Sequence, residues 1–267
     1  MTRTKEPAFT TLLQFAHGLA DRSGPAILPH FRKSIRVDNK AGHGQFDPVT
    51  AADRAAERAI CRIIRETFPG HGIVGEEFGS VGLEARYRWL IDPLDGTRAF
   101  ITGTPMWGTL IGLMDGATPL LGLMDQPYTR ERFWSDARTS HSRAASGTSR
   151  RIKTRACPRI GEAMLMTTSP DLFTPGLEME RFARVKSAAL MTRYGGDCYA
   201  YCLLASGLVD LVVEAGLKPY DVVALIPIVE RAGGCITAWD GGSAAAGGRI
   251  VASGDPVLHD RVLKLLA

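Results

Sequence analysis

The sequence predicts a layered α/β sandwich built on a mixed sheet. Three observations carry that expectation. Helices precede a run of strands in the first half, strand and helix alternate in the second, and no segment repeats internally. With 45% apolar residues in 267, the chain can bury a sizeable core. It reads as a single domain over residues 1–267, with halves of about 1–140 and 155–267 joined by a basic polar segment.

From Phe9 to Phe31, Leu12, Leu13, Phe15, Ala16 and Leu19 recur at helical intervals, with Pro29 as a stop. Lys33 to Asp47 is polar and carries Gly42 and Gly44, so a mobile loop or short hairpin is expected. Thr50 and Asp53 form a capping pair, Asp replacing the usual Glu, and open a helix with Ala52, Ala56, Ile60 and Ile64 on its apolar side. Pro69-Gly70 stops it, and a short strand at Ile73-Val74 delivers Glu76 and Glu77. Strands follow at Arg88–Ile91, Trp107–Met114, Pro119–Met124 and Arg132–Trp134. Ser135 to Arg155, poor in large apolar residues, reads as a solvated excursion. Beyond it, strands are expected at Ala163–Thr168, Ala189–Tyr194, Leu208–Glu214, Cys235–Ala238 and Arg249–Ala252. Helices are expected at Leu177–Ser187, Asp197–Ser206, Asp221–Ala232 and Pro256–Leu266, with Pro227 kinking the third.

Composition removes several classes of function. No apolar run approaches the roughly 18 residues of a membrane span. The N-terminus lacks the apolar core of a signal peptide, so a cytoplasmic protein is the default expectation. The five cysteines form no CxxC pair and the six histidines no ligand spacing, which argues against zinc. Cys198 and Cys202, four apart on one helix, are expected in the core. The net charge of +4 is mild. Arg150, Arg151, Lys153 and Arg155 lack interleaved aromatics, so nucleic acid is not the expected partner.

The chemistry concentrates in Trp89-Leu90-Ile91-Asp92-Pro93-Leu94-Asp95-Gly96-Thr97. An apolar strand is expected to end in a turn carrying Asp92, Asp95 and Thr97. Carboxylates held that close repel unless a cation lies between them. All-oxygen ligands suit a hard ion such as Mg²⁺. Asp47, Glu76, Glu77 and Asp221 also stand at element ends, although each alone could be a helix cap or a loop charge. Converging, they could hold two ions that activate water and stabilise a leaving alkoxide. Thr97 could then pass a proton towards Asp47. Gly96 and Thr97 could offer backbone N–H groups to phosphate oxygens.

Gly75-Glu76-Glu77, Asp92-Pro93-Leu94-Asp95-Gly96-Thr97 and Pro219-Tyr220-Asp221, with Ala232-Gly233-Gly234 behind, resemble the inositol monophosphatase-like superfamily of Mg²⁺-dependent phosphatases. Asp47-Pro48-Val49-Thr50-Ala51-Ala52-Asp53 matches its upstream motif. The resemblance implies a five-layer αβαβα sandwich of the inositol monophosphatase and fructose-1,6-bisphosphatase type, usually a homodimer. It implies metal ligands at Glu76, Asp92, Asp95 and Asp221 and at the carbonyl of Leu94, for two or three Mg²⁺ ions or Mn²⁺. Asp47 and Thr97 would orient the attacking water. Tyr220 stands where many members have Trp.

Further strings resemble the histidinol-phosphate phosphatase branch: Pro105 to Ile111, Tyr194 to Tyr199, and Val213 to Asp221. The resemblance places Asp197 and Glu214 against the organic part of the substrate, where two carboxylates favour a cation over a neutral polyol. Asp197 could equally cap its helix. Trp107 is expected in the core, and Lys40 is loosely aligned with a loop lysine that approaches the site. The expected reaction is hydrolysis of L-histidinol phosphate, a small phosphate ester. An inositol-1-phosphate or other small sugar-phosphate phosphatase is the alternative. An RNA- or protein-binding regulator on the same fold is the more distant one.

Overall fold

The computed structural model describes residues 7–34, 36–39 and 48–267. Helix α1 (Phe9–Ile27) buries Leu12, Ala16 and Leu19, then tightens into one 3₁₀ turn at Leu28–His30. Strands β1 (Val37–Asn39) and β2 (Pro48–Thr50) pair antiparallel. Asp47 and Lys40 lie outside the described residues. Helix α2 (Ala51–Thr67) starts on the expected capping box: Thr50 Oγ1 accepts the Ala52 N–H, and Asp53 accepts the Thr50 N–H at 2.9 Å.

The larger sheet follows from β3 (Gly72–Gly75), β4 (Gly79–Val81), β5 (Tyr87–Asp95), the short helix α3 (Thr97–Ile101), β6 (Gly108–Asp115), β7 (Thr118–Gln126), β8 (Glu131–Ser135), β9 (Ser140–Arg143) and β10 (Ser149–Ile152). Its eight strands run in the order β10-β9-β8-β7-β6-β5-β3-β4. Only β3 and β5 pair in parallel. The smaller sheet and its helices come from β11 (Met164–Thr167), α4 (Leu177–Ala188), β12 (Met191–Tyr194), α5 (Asp197–Ala205), β13 (Leu211–Leu217), α6 (Pro219–Val222), α7 (Leu225–Arg231), β14 (Cys235–Ala238), β15 (Gly248–Ser253) and α8 (Pro256–Leu266). Its five strands run β12-β11-β13-β15-β14, and β15 is antiparallel to both its neighbours.

Alternation along the strands sorts these elements into layers. Ile111, Leu113, Leu121 and Leu123 face outward and pack with Leu12 and Leu19 of α1 and Ile60 and Ile64 of α2. Leu110 and Met124 face inward and meet Cys202 and Leu204 of α5 and Ile228 and Val229 of α7. Val212, Ile250 and Ala252 close that central core from the smaller sheet. The intervening Val213 and Val251 point the other way, onto Phe182 and Val185 of α4 and Leu258 and Val262 of α8. The result is the expected five-layer αβαβα sandwich. Among the described residues, no helix is long and apolar enough to cross a membrane.

Three local expectations are corrected. Ser135 to Arg155 is exposed over residues 144–151, as expected, but it does not leave the fold, because β9 and β10 extend the larger sheet within it. Arg155 is also drawn off the basic surface by a two-pronged pair with buried Asp210, both bonds 2.7 Å. The helix expected over Asp221–Ala232 is two helices, broken at Val223-Ala224. Pro227 falls in the first turn of α7, where its missing N–H has no helical acceptor to lose, so it starts a helix instead of kinking one. Finally, β5 does not stop at Asp92 but runs on to Asp95 through a register shift.

Helix α7 reaches the larger sheet through a cross-strand glycine pair, Gly112 opposite Gly122. A Cβ on Gly122 would stand 1.7 Å from the Ala224 carbonyl oxygen. Gly122→Ala is therefore expected to cost about 3 kcal/mol, the upper end of ordinary overpacking, measured by urea unfolding. A loss below about 0.5 kcal/mol would show that the helix can simply lift.

Candidate active site

The site begins where β5 breaks register. Pro93 has no N–H to give the ladder, and pairing with β6 shifts between Asp92 and Asp95. Asp92 Oδ1 accepts the Leu94 N–H at 2.9 Å, and Thr109 Oγ1 donates to the Pro93 carbonyl at 2.8 Å. The kink turns Asp92 and Asp95 towards one space, which Asp221 enters from the first turn of α6. Carboxylate oxygens of the three lie within 4.8 Å of one another. Asp221 Oδ2 also accepts the Lys218 N–H at 2.7 Å, so it is both a cap and part of this cluster. Glu76 follows β3 and stands against Asp92, raising its proton affinity by charge and by hydrogen bonding.

Helix α2 supports this floor with two buried acids four residues apart, Asp53 and Glu57. Glu57 accepts the N–H of Glu77 at 2.7 Å and of Phe78 at 2.9 Å, which fixes the turn that carries Glu76. A Cβ on Gly75 would fall 2.0 Å from Glu57 Oε1, so that contact requires glycine. Asp53 spends one oxygen on Thr50; the other lies 3.4 Å from Thr97 Oγ1. Thr97 Oγ1 also reaches the Leu94 carbonyl at 3.1 Å. The sequence offered Asp53 only as a cap and did not single out Glu57. The available signal was a pair of acids on the apolar stripe of an amphipathic helix.

The opposite wall belongs to the second half of the chain. Cys198, at the start of α5, donates its backbone N–H to Asp95 Oδ2 at 2.7 Å. Asp95 thus satisfies a helix end 103 residues away. Asp197 does not cap this helix through its side chain. It sits at φ 44°, a conformation costly for a residue with a Cβ, and its own N–H goes to Thr168 Oγ1 at 3.1 Å. Thr168 in turn donates its N–H at 2.7 Å and its hydroxyl at 3.0 Å to Glu214 Oε1. A Cβ on Gly96, itself at φ 85°, would lie 3.2 Å from the Asp197 carboxyl carbon and 2.7 Å from the Met106 carbonyl. Gly96 is the residue that lets the two walls meet.

Electrostatics follow from crowding. Burial, then the charge of Asp197, pushes Asp95 up to about 7. Burial, then Glu214, pushes Asp197 up to about 7. Burial alone dominates for Glu214, pushed up to about 8. Asp92 and Asp221 are raised by burial and by their acidic neighbours. Acids gathered in this way fit a cation: the donors are all oxygen, and among the described residues no histidine joins the set. Trp107 lies in the core against Phe31 and Phe100, as expected.

Comparison with known proteins gives a consistent answer. Residues 9–267 match the model of the inositol monophosphatase family. The chain is 44% identical to the bifunctional phosphatase IMPL2 of Arabidopsis thaliana, over 96% of this chain and 76% of that protein. It is 34% identical to a histidinol-phosphatase of Mycobacterium tuberculosis, over 95% of this chain and 97% of that one. A solved inositol monophosphatase from Zymomonas mobilis is 40% identical and superposes with a TM-score of 0.85, covering 98% of this chain and 99% of that one.

The raised acids make stability depend on pH. Between the ordinary carboxyl range near 4 and the raised values, the folded chain holds protons that the unfolded chain releases. That contribution is therefore lost as pH rises through about 7 for Asp95 and Asp197 and about 8 for Glu214. With a chelator present, the thermal midpoint is expected to fall by several degrees from about pH 6 to about pH 8.5, and Mg²⁺ is expected to flatten the slope. A flat profile in chelator would contradict the crowding.

Proposed function

This chain belongs to the inositol monophosphatase family, and from that premise we propose that it is a metal-dependent phosphomonoesterase whose substrate is L-histidinol phosphate. Asp92, Asp95 and Asp221, with Glu76 and the carbonyl of Leu94, are the groups we assign to Mg²⁺. A bound divalent ion supplies Lewis-acid polarisation of the ester and a water acidic enough to ionise near neutral pH. The remaining work falls to the chain. Thr97 orients the attacking water through its hydroxyl, which is tethered to the Leu94 carbonyl and to Asp53. Asp47 is assigned as the proton acceptor on the residues of its motif, and it lies outside the described residues. Gly96 and Thr97 face the phosphate with their backbone, the side of Gly96 being closed by Met106 and Asp197.

The observation that carries the substrate is Asp197. It holds a left-handed backbone, leaves the cap of its own helix to Asp95, and stands against Gly96 with Glu214 behind it. A second carboxylate layer beyond the metal cluster is costly unless a cation joins it. The amine and imidazole of histidinol supply that charge; a polyol does not. The names of two relatives, the histidinol-phosphatases of Mycobacterium tuberculosis and Streptomyces coelicolor, support this reading. The Zymomonas mobilis structure, named for inositol monophosphate, favours the inositol-phosphate alternative. A side-by-side assay of the two esters decides between them. Equal or reversed kcat/KM would overturn the substrate while leaving the reaction class.

Two variants separate the roles. Asp92→Asn is expected to lower Mg²⁺-dependent turnover by more than about a hundredfold and to leave the fold intact, since it relieves repulsion. Asp197→Ala is expected to raise KM for histidinol phosphate about tenfold at unchanged Mg²⁺ dependence. Weakened metal binding in the second variant would reassign Asp197 to the metal.

A further inference from the structure

Helix α5 carries two tyrosines that differ in one respect. Tyr199 packs against Phe133 and gives its hydroxyl to Glu131. Tyr201 is 2% exposed, and its hydroxyl has no hydrogen-bond partner among the described residues. Buried tyrosine hydroxyls normally find one, and a phenylalanine would fill the same space without that unmet need. The hydroxyl is therefore the feature to be explained.

Its surroundings explain it. Tyr201 stands one helical turn beyond Asp197 on the same face of α5. Both line a cavity of about 90 Å³ together with Asp95, Glu214 and Asp221. A single water needs only about 10–15 Å³ of such space, so the cavity admits a group of several heavy atoms. Glu214, 1% exposed, shares the wall; its Oε1 is taken by Thr168, while its Oε2 makes no hydrogen bond of normal geometry among the described residues, the Thr167 hydroxyl standing close to the carboxyl. Thr167 Oγ1, Trp107 Nε1 and Arg181 Nε also lack partners of normal geometry among the described residues; none of the three residues lines the cavity, and Thr167 faces Glu214. The unmet Tyr201 hydroxyl and the second oxygen of Glu214, on different elements, thus line one space beside the carboxylate cluster.

We propose that Tyr201 is a specificity-determining residue whose hydroxyl binds the organic part of the phosphate ester, accepting an N–H of its cationic group while Glu214 Oε2 accepts another. The proposal rests on the phosphatase reading above and adds a residue to it. The cation is bracketed by Asp197 near the phosphate, Glu214 on the strand side and Tyr201 at the closed end. Burial and the charges of Glu214, Asp95 and Asp221 keep the phenol neutral, so it adds no further negative charge to the site.

The test is Tyr201→Phe in the full chain with Mg²⁺, assayed on histidinol phosphate and on inositol 1-phosphate. L-histidinol and inorganic phosphate are used separately as inhibitors. We expect KM for histidinol phosphate and the inhibition constant of L-histidinol to rise about tenfold. Turnover number, phosphate inhibition and melting temperature should stay near wild type, which a merely structural role would not produce. An unchanged histidinol inhibition constant, or an equal rise for phosphate, overturns the assignment. Wild-type preference for inositol 1-phosphate would instead remove the cationic substrate. Tyr201 is then judged by the same pair of constants with inositol in place of histidinol: a selective rise keeps it as a contact to the organic part, and no rise removes it.

Discussion

Repulsion between crowded carboxylates, buried at Asp92 and half-buried at Asp95 and Asp221, is the constraint from which the rest of this structure follows. Asp92, Asp95 and Asp221 bring oxygens within 4.8 Å of one another, with Glu76 beside Asp92 and Asp197 beside Asp95. Left to itself such a cluster pushes its members apart. It persists because each acid is held by a different rigid element. Asp92 is locked by its own chain at Leu94, Asp95 by the N–H of Cys198, Asp221 by Lys218, and the Glu76 turn by Glu57. All four of these restraints are made by backbone N–H groups, donors that cannot rotate away. The scaffold therefore holds ready a site for positive charge.

The five layers serve that purpose. One wall comes from the larger sheet and α2, the other from the smaller sheet with α5 and α6. The bond from Cys198 to Asp95 crosses between them and completes both a helix end and the acid cluster. Close approach is permitted at few points. Gly96 lets Asp197 reach the kinked strand, and the Gly112–Gly122 pair lets α7 seat against the larger sheet. A displacement of one wall would separate Asp92 and Asp95 of the larger sheet from Asp197 and Asp221 of the second half.

Much of this was legible in the chain. Helical and alternating periodicities gave the elements, the Thr50–Asp53 pair gave the start of α2, and the Asp92-to-Thr97 segment gave the acid floor. The errors have separate causes. The Ser135–Arg155 stretch has few large apolar residues because β10 is an edge strand of the sheet and β9 lies next to it, where pairing rather than burial makes the strand. The break falls at Val223-Ala224, four residues before Pro227, whose missing N–H cannot bond the Val223 carbonyl, so the signal lay in the sequence but a full break rather than a kink resulted. Glu57 hid among alanines as one acid in a charged helix, and its role exists only because the Glu76 turn lies above it.

By itself the sequence determined the kinds of atoms available: oxygen donors in a Pro- and Gly-bearing strand end, on a chain with no sulfur–imidazole motif and a core large enough to bury them. Those are properties of composition and of short spacing, which a linear reading captures. Only the tertiary structure decided which acids face one another, which helix end Asp95 rather than Asp197 completes, and that the unmet Tyr201 hydroxyl shares a cavity with Glu214. The first two depend on contacts between distant parts of the chain, 103 residues apart for Asp95 and Cys198, and all three on how two sheets pack on one layer of helices.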